Sequence, residues 1–238
     1  MQIPDLTIVV PVHGRQQTLE RCLHYLSDFK GPIIVADSSE VPYEPAKRFP
    51  NVDYRHAPGQ PYHQKLREVY ASVQTAYLVD IPDDDFVSLT GLQACCEHLR
   101  ANPGVVVCGG HTIVFREGRD VGLELIHTGA TVASHIKATE TIGAQESVAQ
   151  RIDRLFRKPT EIVHLVMHKS AALAPHLIVE KHPELMPIRF YARLWLFTAA
   201  VMGRISHLDT IFLVRAKEGR LINGAIYPPE LEREVGPE

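Results

Sequence analysis

Apolar and polar residues fall along this chain in blocks, and the blocks change period in a regular order. Leu6-Thr7-Ile8-Val9-Val10 is a continuous β-rich run, the pattern of a strand covered on both faces, and Pro11 is expected to stop it. Leu19, Cys22, Leu23 and Leu26 then recur at i, i+3, i+4 and i+7, which predicts a helix starting near Thr18. Pro32-Ile33-Ile34-Val35-Ala36 is a second short buried strand, ending at Asp37-Ser38-Ser39. After a connector bearing Pro42, Pro45 and Pro50, Val52-Asp53-Tyr54 reads as a short strand, and Leu66, Val69, Tyr70 and Val73 restore the helical spacing. Tyr77–Ile81 is the next strand. A third helix follows, with Leu89, Leu92, Cys96 and Leu99 inward and Asn102-Pro103-Gly104 as its stop. Val105–Cys108 predicts another buried strand, with Gly109-Gly110 leading into a returning strand, His111–Phe115.

This β-α-β-α-β-α-β order predicts an α/β fold with a mostly parallel, mixed central sheet and right-handed crossovers. The second half is less regular. Residues 117–145 read as loop, Ser147–Lys158 as an amphipathic helix and Ile162–Met167 as a strand. Phe190–Met202 is apolar on nearly every side and predicts a buried helix ending at Gly203, and Ile205–Arg215 a final strand or pair of short strands. No repeat or linker interrupts the chain, so one domain is expected over 1–238. It comprises a first half (1–115), a second half (116–226) and a loose tail (227–238).

Composition narrows the classes. A net charge of −3 over 238 residues offers no global field for nucleic acid or an anionic membrane. Cys22, Cys95, Cys96 and Cys108 show neither a C-x-x-C pair nor zinc spacing, and read as small buried residues in a reducing compartment. No targeting signal opens the chain and no apolar run reaches membrane length, so a cytoplasmic protein without a transmembrane segment is expected.

In sheets of this kind ligands lie beyond the carboxyl ends of the strands. Three polar clusters fall there: His13-Gly14-Arg15, Asp37-Ser38-Ser39 and Asp83-Asp84-Asp85. Three adjacent carboxylates repel one another, and the alternatives are a solvated acidic turn or a place for a hard divalent cation carrying a diphosphate. The coincidence of the three clusters favours the second. Asp37 either caps the following turn or serves a ligand. Lys65, after the polar turn His63-Gln64, either reaches a diphosphate as a point charge or is a solvated helix lysine.

Taken together these segments resemble a family. Leu6–Leu26 (LTIVVPVHGRQQTLERCLHYL) is similar to the opening of family 2 glycosyltransferases, Ile33–Ser39 (IIVADSS) to their second strand, and Asp83-Asp84-Asp85 to their D-x-D motif. The resemblance covers residues 5–115. It implies a GT-A fold with a nucleotide-sugar-binding half and a variable acceptor-binding half. It also implies a UDP- or GDP-linked donor, Mn²⁺ or Mg²⁺ on its diphosphate, and a carbohydrate or other hydroxyl acceptor. Carried onto this chain, Pro11, Val12 and His13 line the base with Arg15 nearby, and Asp37 accepts from base or ribose. Asp83, with Asp84 beside it, faces the ribose or a metal-bound water, and Asp85 coordinates the metal.

The chain departs from the pattern in two places. His13-Gly14-Arg15 stands where a Tyr-Asn pair is commoner, and the acidic pair that usually supplies the general base has no clean counterpart. Glu184 and, four residues upstream on an expected loop, Glu180 are the carboxylates in that region, each otherwise a surface acid. Arg189 and Arg193, one turn apart, read as an anion site or a solvated stripe; Trp195 reads as core or as a stacking face for a sugar. The leading expectation is a metal-dependent inverting glycosyltransferase. A nucleotidyltransferase and a non-catalytic nucleotide- or sugar-binding module are the alternatives. No G-x-G-x-x-G and no Walker A sequence is present.

Overall fold

The computed structural model of the protein describes residues 1–115, 135–137, 141–143, 146–159, 162–182 and 188–216. The expected loop over 117–145 lies largely outside them, and the tail over 227–238 wholly so. Nine strands form one mixed sheet in the order β3-β2-β1-β4-β8-β6-β9-β5, with β7 pairing β6. The strands are β1 (Leu6–Val12), β2 (Ile33–Asp37), β3 (Val52–His56), β4 (Tyr77–Asp80), β5 (Phe86–Val87), β6 (Val105–Phe115), β7 (His135–Lys137), β8 (Val166–His168) and β9 (Arg204–Ala216). β1 pairs in parallel with β2 and β4, and β2 with β3. β8 runs antiparallel to β4 and to β6, which leaves β6 and its parallel partner β9 pointing the same way as β4.

Every residue of β1, β2 and β4 is buried, as their uninterrupted apolar runs require of strands covered on both faces. The helices are α1 (Gln16–Tyr25), α2 (Tyr62–Ser72), α3 (Leu89–Ala101), α4 (Val148–Arg157), α5 (Lys169–Lys181) and α6 (Ile188–Met202). α1 buries Leu19, Cys22 and Leu23, and α2 buries Leu66, Val69 and Tyr70, the positions their spacing selects. Ser88 caps α3, and Ser147 with Gln150 forms a capping box on α4, so both helices start where their sequences say. One apolar cluster runs from Ile8 and Val35 through Tyr70 to Trp195 and Phe212. Trp195 therefore serves as core. All four cysteines are free and buried.

Four expectations are corrected. Pro11 does not end β1; it pairs in register with Ala36. Even-numbered residues of β1 bond toward β2, as Ser38 N to Val12 O shows, and odd-numbered ones toward β4, as Ile81 N to Val9 O shows. The missing N–H of Pro11 thus faces β4 just past the last pair, Val9 with Asp80, where no ladder bond is lost. Gly109-Gly110 is not a turn, because β6 runs straight through it. A Cβ on Gly109 would meet the Leu165 side chain at 2.4 Å and one on Gly110 the Thr210 carbonyl at 2.4 Å, so these glycines admit close neighbours. The strand expected over Ile162–Met167 begins only at Val166, Leu165 N closing a turn on Ile162 O at 3.1 Å. Finally, α6 is not buried all round: Arg193 is exposed, as are Val201 and Met202 at its last turn.

Candidate active site

β1, β2 and β4 end side by side, and the three polar clusters meet there. Gly14, at φ +69° in the left-handed region glycine favours, directs its N–H to Ser39 Oγ at 2.7 Å. His13 Nδ1 lies 3.1 Å from the Ser38 carbonyl. Asp37 is buried; its Oδ1 accepts from Ser39 N at 2.8 Å and its Oδ2 from Tyr54 O–H at 2.6 Å. It therefore does cap its turn, buried at the end of β2 beside Val12 of β1. Lys65 lies in the first turn of α2, since His63 and Gln64 are helical and not a turn. Its Nζ donates to Val12 O at 2.8 Å and Ser38 Oγ at 2.9 Å, tying the ends of β1 and β2 together from below. Burial lowers its pKa to about 8, against the pull of Asp37, Asp80 and Asp83. It is neither the solvated helix lysine nor, in this position, a group facing an open diphosphate.

The acidic triplet sits inside the edge. Asp83, Asp84 and Asp85 are all buried, and each carboxylate meets a guanidinium. Arg15, at the N-cap of α1, forks onto Asp83 Oδ1 and, at 2.8 Å, Asp84 Oδ2. Arg215, on β9, donates Nε–H to Asp85 Oδ2 at 3.0 Å. Arg21 donates to the Asp84 carbonyl at 3.3 Å and lies over the Phe86 ring, while Tyr25 O–H donates to Val87 O at 2.8 Å. One face of α1 thereby fixes the whole loop from Asp83 to Val87. Burial pushes the Asp83 carboxyl up to about 7, opposed by Arg15 and reinforced by Asp84. Deeper in, Asp80 Oδ2 accepts a hydrogen bond from the Tyr70 O–H at 2.8 Å, and burial raises the Asp80 pKa to about 7 as well.

A divalent cation fits these residues in one particular way. Asp83 Oδ2 is buried with no partner, and Asp85 stands two residues on. Among the described residues no three His, Cys, Asp or Glu side chains converge into a ready cage. The donor set is thus one or two carboxylates completed by a ligand's phosphate oxygens, a mode common for Mg²⁺.

Of the two expected base candidates only Glu180 is among the described residues. Glu184 lies outside them, within the stretch 183–187. Glu180 is not on a loop: it occupies the last turn of α5, half-exposed and ion-paired with Arg67. Arg189's side chain is likewise not described, and Arg193 is exposed. Arg21 and Arg215 were not legible as site residues. Arg21's only signal is its place on the first helix after the turn, and Arg215's is a basic residue closing the last apolar run.

Fold and site together define a class: the chain has an α/β, GT-A-type fold with its polar edge at the strand ends. Among solved structures it is similar to TarS of S. aureus. With TarS 1–349 the TM-score is 0.52 at 13% identity, covering 89% of this chain and 60% of that one. With TarS 1–349 in complex with UDP-GlcNAc it is 0.55 at 14%, covering 96% and 64%. With TarS itself it is 0.56 at 12%, covering 89% and 36%, so this chain spans well under two thirds of that protein. No protein-family model and no curated protein matches the chain. No described helix is long and apolar enough to cross a membrane.

Proposed function

We propose that this protein is a metal-dependent, inverting glycosyltransferase that moves a sugar from a UDP- or GDP-linked donor to an acceptor hydroxyl, in the cytoplasm. The observation that carries the reading is the convergence of His13-Gly14-Arg15, Asp37-Ser38-Ser39 and Asp83–Asp85 at one sheet edge, joined by Gly14 to Ser39 and Arg15 to Asp83 and Asp84. That TarS 1–349 has been solved with UDP-GlcNAc and with UDP is in keeping with it. The strand ends at Pro11, Val12, His13 and Asp37 take the nucleoside, with Lys65 holding Val12 and Ser38 together. Asp83 and Asp85 hold Mn²⁺ or Mg²⁺, which when bound offsets the charge of the departing diphosphate.

In the transfer, the acceptor oxygen bonds to the anomeric carbon as the bond from that carbon to the diphosphate oxygen breaks, on opposite faces. A carboxylate of the second half, Glu184 with Glu180 in reserve, takes the hydroxyl proton. The pairing of Glu180 with Arg67 favours Glu184 of the two, and it keeps a second reading in view, a nucleotide- or sugar-binding module without a base. Incubation with a panel of nucleotide-sugars and Mn²⁺ separates them. Release of free UDP or GDP that depends on an added acceptor is expected; donor binding without release would favour the module.

A further inference from the structure

We propose that Arg15 and Arg215 are diphosphate-binding residues held in reserve on the acidic triplet, exchanging its carboxylates for phosphate oxygens when a nucleoside diphosphate arrives with a divalent cation. This rests on the donor reading above and deepens it by giving the triplet a closed and an open state.

The layering of the site is the first argument. The Arg15 side chain is 27% exposed while Asp83 and Asp84 beneath it are 0% and 12% exposed; Arg215 is 25% exposed over Asp85 at 2%. Guanidinium groups thus form the outer layer and carboxylates the inner one. Whatever enters from solvent meets cations first. A bare divalent ion is repelled by that layer and finds the carboxylates already neutralised. A bare diphosphate finds both arginines engaged.

The second argument is what the closed arrangement leaves unmet. Arg15 Nε is buried with no acceptor, and Asp83 Oδ2 is buried with no donor, although the two residues are ion-paired. A buried donor or acceptor without a partner is costly, and here each lies on a group whose other atoms are well bonded. A phosphate oxygen satisfies Arg15 Nε; a cation satisfies Asp83 Oδ2. Neither ligand alone does both.

The third argument is placement. Arg15 opens α1 and Arg215 lies on β9, next to the two-residue strand β5, whose partners are Val214 and Leu213. The two guanidiniums reach the triplet from elements far apart in sequence and hold different carboxylates, Arg15 those of Asp83 and Asp84 and Arg215 that of Asp85. Arginine suits the exchange because its planar fork matches carboxylate and phosphate alike. Arg21, held on the Asp84 carbonyl and over Phe86, stays as the fixed positive charge of the loop.

The test separates cation uptake from nucleotide uptake. Mn²⁺ binding is followed by the paramagnetic resonance signal of the free ion, first without nucleotide. Arg15→Gln and Arg215→Gln are expected to bind Mn²⁺ about tenfold more tightly than the unmodified protein, since a competing cation has gone. With Mn²⁺ saturating, calorimetry with UDP is expected to give the opposite sign, each variant losing about tenfold in affinity. Arg15→Lys and Arg215→Lys keep the charge and lose the fork; they should leave Mn²⁺ binding nearly unchanged and still weaken UDP, and they carry the test if a Gln variant fails to fold. Gln variants that gain no Mn²⁺ affinity, or Gln or Lys variants that bind UDP as well as the unmodified protein does, overturn the exchange alone. If the unmodified protein takes up neither UDP nor GDP with Mn²⁺, the donor reading falls and the exchange with it; if it takes up GDP alone, the calorimetry is run with GDP.

Discussion

The β1–β2–β4 edge and the β6–β9 pair are both parallel and point the same way, yet they place their chemistry by opposite means. In the first, strands of 7, 5 and 4 residues pair without a register break, and the polar residues follow within a few positions of each strand end. In the second, strands of 11 and 13 residues pair through register shifts at Val105/Val107, Gly109/His111 and His111/Thr112. There Arg215 is delivered to Asp85 across 130 residues of chain. Local strand-and-turn signals build one side of the site; long-range packing brings the other side to it. The first kind of placement is robust to changes elsewhere, while the second depends on the seam staying closed.

Breaking the seam should therefore have the largest effect. Gly110→Val puts a side chain where a Cβ already meets the Thr210 carbonyl at 2.4 Å, and a stability loss of roughly 3 kcal/mol is expected in urea unfolding. Next comes the local side: Asp85→Ala should cost Mn²⁺-dependent UDP binding about 100-fold by calorimetry, with the circular dichroism spectrum unchanged. A fold that collapses on this change would mean that the Asp85–Arg215 contact is structural and nothing more.

Effects spread over pH come from the buried charges beneath the edge. Asp80 has a folded pKa of about 7 against an ordinary 3.8, so the folded state holds its proton where the unfolded chain has lost it. Stability should then fall as pH rises from about 4 to 7, by about 1 kcal/mol per unit at the steepest. Asp80→Asn should remove its share of that decline and leave that of Asp83, which is raised to about 7 as well, as thermal unfolding across the range would record. Lys65 works in the other sense: its pKa is lowered to about 8, so stability rises with pH from about 8 to 10.5. The smallest change belongs to Glu180→Gln. Its ion pair with Arg67 is exposed, worth less than about 1 kcal/mol, and turnover should hold if Glu184 is the base. A large fall in kcat with donor affinity intact would instead move the base to Glu180.

How much of this was legible in the sequence follows the same division. The strands and helices of residues 6–101 were readable, apart from the two-residue strand β5, because each carries its own period, and the three clusters could be placed at one edge by topology alone. Pro11 and Gly109-Gly110 misled because a breaker was read without its neighbours. Pro11 is harmless only because β4 has already ended beside it, and the glycines are there for Leu165 and Thr210. α5 went unassigned because Pro175 lies inside it, and its buried face is the small and polar set Ala171, Ala172, Pro175, His176 and Val179. Within the site, the carboxylates were visible and their partners were not. A D-D-D run announces itself, whereas nothing in the local sequence says that Arg215 will reach it.

Calorimetry of UDP and GDP with Mn²⁺ present and then chelated by EDTA tests the central claim most directly, namely that this edge is a cation-assisted diphosphate site. At least one of the two nucleotides is expected to bind with Mn²⁺ and to lose about tenfold or more without it, because the arginines then stay engaged on the carboxylates and no cation offsets the diphosphate charge. Equal affinity in both conditions, or no binding of either nucleotide, would contradict it.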